Sequence, residues 1–140
     1  MHIRKYRSED LEMLQNWFSE WNWSGFDPSM IPQNAFIAEI NGYAVGFSCF
    51  ASTDCSIALM GYTVVTKQFK GDSKAVVDEL LKSVTTTARD AGHKYLVYYT
   101  NTAFMVPRMR KAGLKLAHQK SKTWVLVGGL NGENTEFLED

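Results

Sequence analysis

Residues 63–74 read Thr63-Val64-Val65-Thr66-Lys67-Gln68-Phe69-Lys70-Gly71-Asp72-Ser73-Lys74, and the chain changes its period inside them. Before the loop runs a strand-like segment from residue 56 to 65. After it Val76, Val77, Leu80, Leu81, Val84 and Ala88 recur at three and four, the spacing of an amphipathic helix. That helix runs for about 18 residues from near Asp72 or Ser73 and ends at Gly92, which suits a left-handed cap. A buried strand thus passes through a basic loop with one glycine directly into a helix. The first N–H groups of a helix have no internal acceptor, and Lys67, Lys70 and Lys74 stand beside them, so the junction is suited to phosphate. It is not a Walker loop, because the Gly-Lys-Ser/Thr ending is absent, nor a Rossmann turn, which needs three glycines. A cofactor whose pyrophosphate is gripped mainly by backbone is favoured over a nucleoside triphosphate or a nucleotide sugar.

Upstream, the alternation around Ile3 and Lys5 predicts a short strand, and Ser8 is placed to cap a helix carrying Leu11, Leu14, Trp17 and Phe18. Residues 21–32 form a loop rich in breakers and aromatics, with one helical turn after Pro28. Residues 34–40 and 43–50 read as strands joined by Asn41-Gly42, the two-residue signal of a type I′ hairpin. Downstream, residues 95–100 are a near-continuous apolar strand, as a sheet covered on both faces requires. Residues 102–112 are helical with Pro107 tolerated early, and Gly113 ends them. Strands at 114–118 and 122–127 complete the order. Alternation after residue 66 demands a parallel crossover, so the fold class is mixed, α+β or α/β, with helices on both faces of the sheet.

A chain of 140 residues with 45% apolar content can bury one core. We therefore expect one domain over residues 1–128 and an acidic tail over 129–140. Fifteen bases balance fifteen acids, which argues against a nucleic-acid or polybasic membrane protein. The balance is segregated: residues 1–66 carry three bases and seven acids, residues 67–122 carry twelve and four, and residues 123–140 carry four acids alone. Cys49 and Cys55 read as reduced, buried thiols, and with no signal peptide the expected setting is the cytoplasm. The three histidines are scattered without ligand spacing, so no metal site is expected.

The element order and the loop together resemble the GNAT acyltransferase superfamily, whose phosphate loop reads Arg/Gln-x-x-Gly-x-Gly/Ala. Gln68-Phe69-Lys70-Gly71-Asp72-Ser73 fits it with Ser in the last place. A second register, Lys70 to Ala75, is disfavoured because it would put Asp78 and Glu79, instead of Val76 and Val77, against the sheet. Ala44-Val45-Gly46-Phe47 after the hairpin turn, Asn101 after the strand at residues 95–100, and Arg110-Lys111-Ala112-Gly113-Leu114 are further points of resemblance. The resemblance implies a three-layer α/β/α fold around a mostly antiparallel sheet of about six or seven strands, splayed between strands four and five. It implies acetyl-CoA as cofactor and transfer of its acetyl group to a primary amine of a small molecule or protein by direct attack. The family's usual tyrosine acid falls on Met109 here, and the run 56–65 carries no carboxylate, so a silent CoA-binding or protein-interaction module is the alternative.

On this resemblance the cofactor residues are Thr63, Val64, Val65, Gln68, Phe69, Lys70, Gly71, Asp72, Ser73, Lys74 and Asn101. Backbone N–H groups of residues 62–65 would polarise the thioester carbonyl. Glu39 is the first candidate base, with Asp27 second, and Tyr98 or Tyr99 the acid; strand alternation sends the two tyrosines to opposite faces, so at most one serves. Trp23, Phe26 and Asp27 would face the acceptor, and with Glu20 nearby they suit a cationic amine. Each has a plainer reading: Asn101 as a helix cap, Asp27 as a turn former, Glu39 as a surface strand residue, the tyrosines as packing, and Trp17, Phe18 and Trp21 as core. A homodimer is kept open; nucleic acid and membrane are not expected partners.

Overall fold

A computed structural model describes residues 1–23 and 26–138. Eight strands form one mixed sheet in the order β1-β2-β3-β4-β6-β8-β7, with β5 paired to β3. There are three α-helices among the described residues. The chain divides into two compact units, Met1–Cys49 with Tyr62–Val84 and Phe50–Gly61 with Thr85–Asp140.

The first unit begins with β1 (His2–Lys5), a single 3-10 turn (Ser8–Asp10) and α1 (Leu11–Glu20). Ser8 is not the cap. The Asp10 carboxylate accepts the backbone N–H of Arg7 at 2.8 Å, and both its oxygens accept from the Arg4 guanidinium at 2.8 Å. β2 (Asn34–Ile40) pairs antiparallel with β1, and Asn41 and Gly42, at φ 53° and 82°, make the predicted turn into β3 (Tyr43–Ser52). Leu14, Trp17 and Phe18 of α1 pack on Ala35, Ile37, Phe47 and Cys49, each side chain contributing on the order of 1.5–3 kcal/mol for its burial. Gly46 points the other way. A Cβ there would meet Val76 Cγ1 at 2.8 Å and Leu80 Cδ1 at 3.2 Å, both in α2 (Ser73–Asp90). The two helices therefore lie on opposite faces of β3, and Gly46 allows the close approach of the second.

The predicted run 56–65 breaks in two, β4 (Ile57–Met60) and β5 (Val64–Val65), which is why eight strands appear where six or seven were expected. β4 belongs to the second unit and runs parallel to β6 (Tyr95–Thr100), from Ile57↔Tyr95 to Met60↔Tyr98; this is the expected parallel crossover. β5 belongs to the first unit and pairs with β3.

In the second unit β8 (Thr123–Gly129) joins β6 to the hairpin partner β7 (Lys115–Lys120). Gly92 (φ 91°) ends α2 as expected, and Gly113 (φ 99°) ends α3 (Met105–Lys111), which has Pro107 in its first turn. Buried His93 bonds Ser52 Oγ at 3.0 Å. The tail turns back on the unit: Leu130 N–H donates to the Lys94 carbonyl at 2.8 Å and Phe137 meets the Tyr95 ring edge-on. Its last two residues, and Ser24 and Gly25 of the aromatic loop, lie outside the described residues. Cys49 is buried, but Cys55 is exposed, against expectation: it sits in the turn before β4, where Thr53 holds its thiol below the usual range.

Candidate functional site

The loop between β5 and α2 is built by accounting for its backbone donors. Thr66 N–H reaches back to the Val45 carbonyl at 3.0 Å, the last rung between β3 and the strand before the loop. By antiparallel alternation the Val65 N–H points away from β3, and it has no acceptor among the described residues. Gln68 N–H donates to Thr66 Oγ1 at 3.3 Å and Phe69 N–H to the Thr66 carbonyl at 3.1 Å. At the helix head the Asp72 carboxylate accepts from the N–H groups of Lys74 (3.0 Å) and Ala75 (3.3 Å). Between these two sets the N–H groups of Lys70, Gly71, Asp72 and Ser73 meet no acceptor among the described residues.

Four consecutive open donors at the head of an 18-residue helix make an arrangement chemically suited to an anion. The exposed ammonium groups of Lys67, Lys70 and Lys74 add positive charge. Asp72 works in the opposite sense: it caps the helix with a carboxylate, taking the donors of residues 74 and 75, so an arriving phosphate is confined to residues 70–73. At Gly71 the constraint is a neighbouring side chain and not the backbone angle. Its φ is unremarkable, but a Cβ would collide with the Phe69 ring, which folds over it.

Residues 62–65 lead into this loop. The Thr63 hydroxyl bonds Ser48 Oγ at 2.8 Å, and the Cys49 thiol faces the Tyr62 carbonyl at 3.9 Å. Val64 is buried in the core, so what this residue offers the site is backbone.

Trp23 and Phe26 do come together, and the Tyr62 ring joins them. Tyr62 lies 5.8 Å from Trp23, 5.9 Å from Phe26 and 5.3 Å from Phe18, and its hydroxyl points at Met30 Sδ at 3.9 Å. Trp23 and Tyr62 remain 36% and 40% exposed, leaving an aromatic surface open to a ligand. Asp27 caps the 3-10 turn Pro28–Met30, and the Ser29 hydroxyl and N–H hold its carboxyl below the usual range. Its Oδ2 is engaged as a turn former.

Glu39 is likewise engaged. Its carboxylate accepts from Arg4 Nε at 2.9 Å, completing a partly buried Asp10–Arg4–Glu39 cluster. The Asp10 bond raises the Arg4 pKa above its already high value, and Arg4 in turn lowers that of Asp10. This cluster joins residues up to 35 positions apart through β1, and no local spacing announces it.

Two residues that the sequence left in other roles hold the start of the loop. Both carboxylate oxygens of Glu20 accept from the Thr66 hydroxyl, at 2.9 and 3.1 Å, and Oε1 also accepts the Lys67 N–H at 3.1 Å. Trp21, expected in the core, is 45% exposed because α1 ends at Glu20 and its helical phase stops there. Its indole N–H donates to the Val65 carbonyl at 3.1 Å and its ring lies 4.6 Å from Lys67 Nζ. The one signal in the sequence was a carboxylate at a helix C-terminus, where the dipole disfavours it.

The remaining candidates belong to the second unit. Tyr98 is buried at 6% exposure, and burial raises its phenol above the ordinary 10.0. Tyr99, on the opposite face of β6, is 64% exposed. Asn101 does not cap α3, whose N-cap position is Phe104; its Oδ1 accepts from the Thr102 hydroxyl at 3.4 Å. Met109, on the family's tyrosine position, is completely buried. Among the described residues no cluster of three or more His, Cys, Asp or Glu could hold a metal, and no helix is long and apolar enough to cross a membrane.

No protein-family model and no curated protein sequence matches the chain. Solved structures match its fold. N-acetylglutamate synthase from Neisseria gonorrhoeae, complexed with coenzyme A and N-acetyl-glutamate, is similar over 93% of this chain at TM-score 0.77 and 15% identity, and the match spans only 35% of that longer chain. The Salmonella typhimurium protein yncA, with its cofactor acetyl-CoA, is similar at TM-score 0.77 and 16% identity over 96% of both chains. A GNAT family acetyltransferase from Staphylococcus aureus Mu50 gives TM-score 0.72 and 15% identity over 93% of this chain and 99% of that one. The mixed sheet, its parallel β4–β6 pair and the strand-to-helix loop thus make this a chain with the GNAT acetyltransferase fold.

Proposed function

We propose that the chain is an acetyl-CoA-dependent N-acetyltransferase acting on a primary amine of a small molecule or protein, with residues 1–128 as its acyltransferase domain. The observation that carries this reading is the run of unpaired N–H groups at residues 70–73 between Lys67, Lys70 and Lys74. Those donors suit a pyrophosphate. Gln68 and Ser73 flank them with polar side chains, and Asn101, whose amide nitrogen has no partner among the described residues, is the candidate for the pantetheine arm.

When bound, acetyl-CoA supplies an activated thioester. The chain's own part is to bind, polarise and move protons. The unpaired Val65 N–H is the donor for an oxyanion developing on the thioester carbonyl. Tyr98 keeps its proton at neutral pH and is the candidate acid; Tyr99, exposed and on the other face, is the weaker choice. Glu39 and Asp27 are both committed to other partners, so we assign removal of the amine proton to water, which suffices for a base of modest strength. Trp23, Phe26 and Tyr62 present aromatic faces to a cationic amine. A cytoplasmic setting, which keeps Cys49 and Cys55 reduced, and a homodimer, read by sedimentation velocity, complete the proposal.

Titration with CoA is the first test: saturable binding is expected, and none at millimolar concentration overturns the reading. Buried Met109 and the two engaged carboxylates favour a second reading, a module that binds CoA without turnover. Release of CoA thiol from acetyl-CoA with any member of a broad amine panel decides against it.

A further inference from the structure

Glu20 takes no part in the chemistry above, yet its carboxylate accepts from both the Thr66 hydroxyl and the Lys67 N–H at the start of the cofactor loop. The loop's first three residues, Val65, Thr66 and Lys67, are each held by one of two consecutive residues at the end of α1. Trp21 bonds the Val65 carbonyl, Glu20 accepts the Thr66 hydroxyl, and Glu20 also accepts the Lys67 N–H, with the Trp21 ring near the Lys67 ammonium. The Thr66 hydroxyl is a relay: it donates to Glu20 and accepts from Gln68 N–H, and its residue is buried at 7% exposure. Glu20 is poorly placed for its own helix, since α1 has no basic residue in its last turn to offset a carboxylate at the negative end of the dipole. A local rule broken in this way is characteristic of functional positions.

We infer that Glu20 is a positioning residue that fixes the loop so that residues 70–73 keep their N–H groups open, and that it couples cofactor loading to the acceptor side. The coupling follows from the chain itself. Glu20 and Trp21 lead directly to Trp23, which packs against Tyr62 with Phe26, and Tyr62 leads directly to Val65–Lys67. Anything that sets residues 65–67 also sets residues 20–23. An interaction between the two binding events is reciprocal by thermodynamic necessity. This inference rests on the cofactor reading proposed above.

The test uses CoA as the probe and three variants chosen to separate reach from charge. Charge-assisted hydrogen bonds to a partly buried carboxylate predict that Glu20→Ala weakens CoA binding on the order of tenfold. Glu20→Asp keeps the charge but falls one methylene short, and should behave like Ala. Glu20→Gln keeps the reach and should stay within about threefold of the parent. A merely structural role would not give that order at matched melting temperature. Hydrogen exchange adds the coupling readout: CoA should protect residues 20–23 as well as 66–73 in the parent chain, and only 66–73 in Glu20→Ala. If the parent binds CoA and Glu20→Ala binds it equally well, or Glu20→Gln fails as badly as Ala, positioning is overturned. Unchanged protection of residues 20–23 in Glu20→Ala overturns the coupling. If the parent does not bind CoA, the cofactor reading itself falls. Should Glu20→Ala not fold, the Asp and Gln pair still decides.

Discussion

Two strand-to-helix junctions of this molecule differ in how many donors they leave open and in the charge beside them. Between β6 and α3 the chain closes most of the turn on itself: Thr102 N–H bonds the Thr100 hydroxyl at 3.0 Å, the N–H groups of Met105 and Val106 bond the carbonyls of Thr102 and Ala103 at 3.1 and 3.2 Å, and only those of Ala103 and Phe104 meet no acceptor among the described residues. No lysine stands in that turn. Between β5 and α2 the donors of residues 70–73 are left open, three lysines stand beside them, and the cost is met from outside the turn by Glu20 and Trp21. A helix start is therefore not in itself an anion site. It becomes one when its donors lack internal acceptors and something else keeps the loop in shape.

The strongest way to break the contrast is to lift α2 from its seat. Gly46→Val places a side chain where Val76 already lies at 2.8 Å, and overpacking of this kind costs about 2–3 kcal/mol. Denaturant unfolding should show a lower midpoint and CoA titration a matching loss; an unchanged midpoint would mean that the helix seat is not as tight as the distance says. Next in size is removal of the charge that distinguishes the open junction. Lys67→Ala, Lys70→Ala and Lys74→Ala combined should weaken CoA binding roughly tenfold to thirtyfold, since exposed contacts contribute under about 1 kcal/mol each. They should also flatten its salt dependence while leaving melting almost unmoved; a salt response as steep as the parent's would count against the lysines.

The smallest expected effects sharpen the comparison of the two units by pH. In the first unit Arg4 lowers the Asp10 carboxyl below its ordinary 3.8, so its stabilisation is full above that value and is lost as pH falls through the lower folded value. In the second unit burial raises Tyr98 above 10.0, so its stabilisation is full below that value and is lost as pH rises through the higher folded value. Asp10→Asn should flatten only the acid limb of stability against pH, and Tyr98→Phe only the alkaline limb. Circular dichroism melts across the range would show either limb failing to respond.

Much of the fold was legible because it rests on local rules. Asn41-Gly42 can hardly be anything but a primed turn, and the spacing of Val76 to Ala88 fits only a helix packed on one side. The lysine-flanked loop was legible for the same reason, since donors, charge and glycine lie within a dozen residues. Trp21 was misread because periodicity does not say where a helix ends, and Cys55 because an apolar neighbourhood in sequence is not burial in space.

The roles of the carboxylates were beyond any local reading. Glu39 and Asp10 share Arg4, Asp27 and Asp72 serve as caps, and Glu20 crosses 46 positions to reach Thr66. By itself the sequence determined most of the elements, their order and the lysine-flanked character of the loop before α2, because those depend on neighbours three or four residues away. The tertiary structure alone decided which polar groups are spent and which remain open, because a hydrogen bond depends on distance in space and takes no account of separation along the chain.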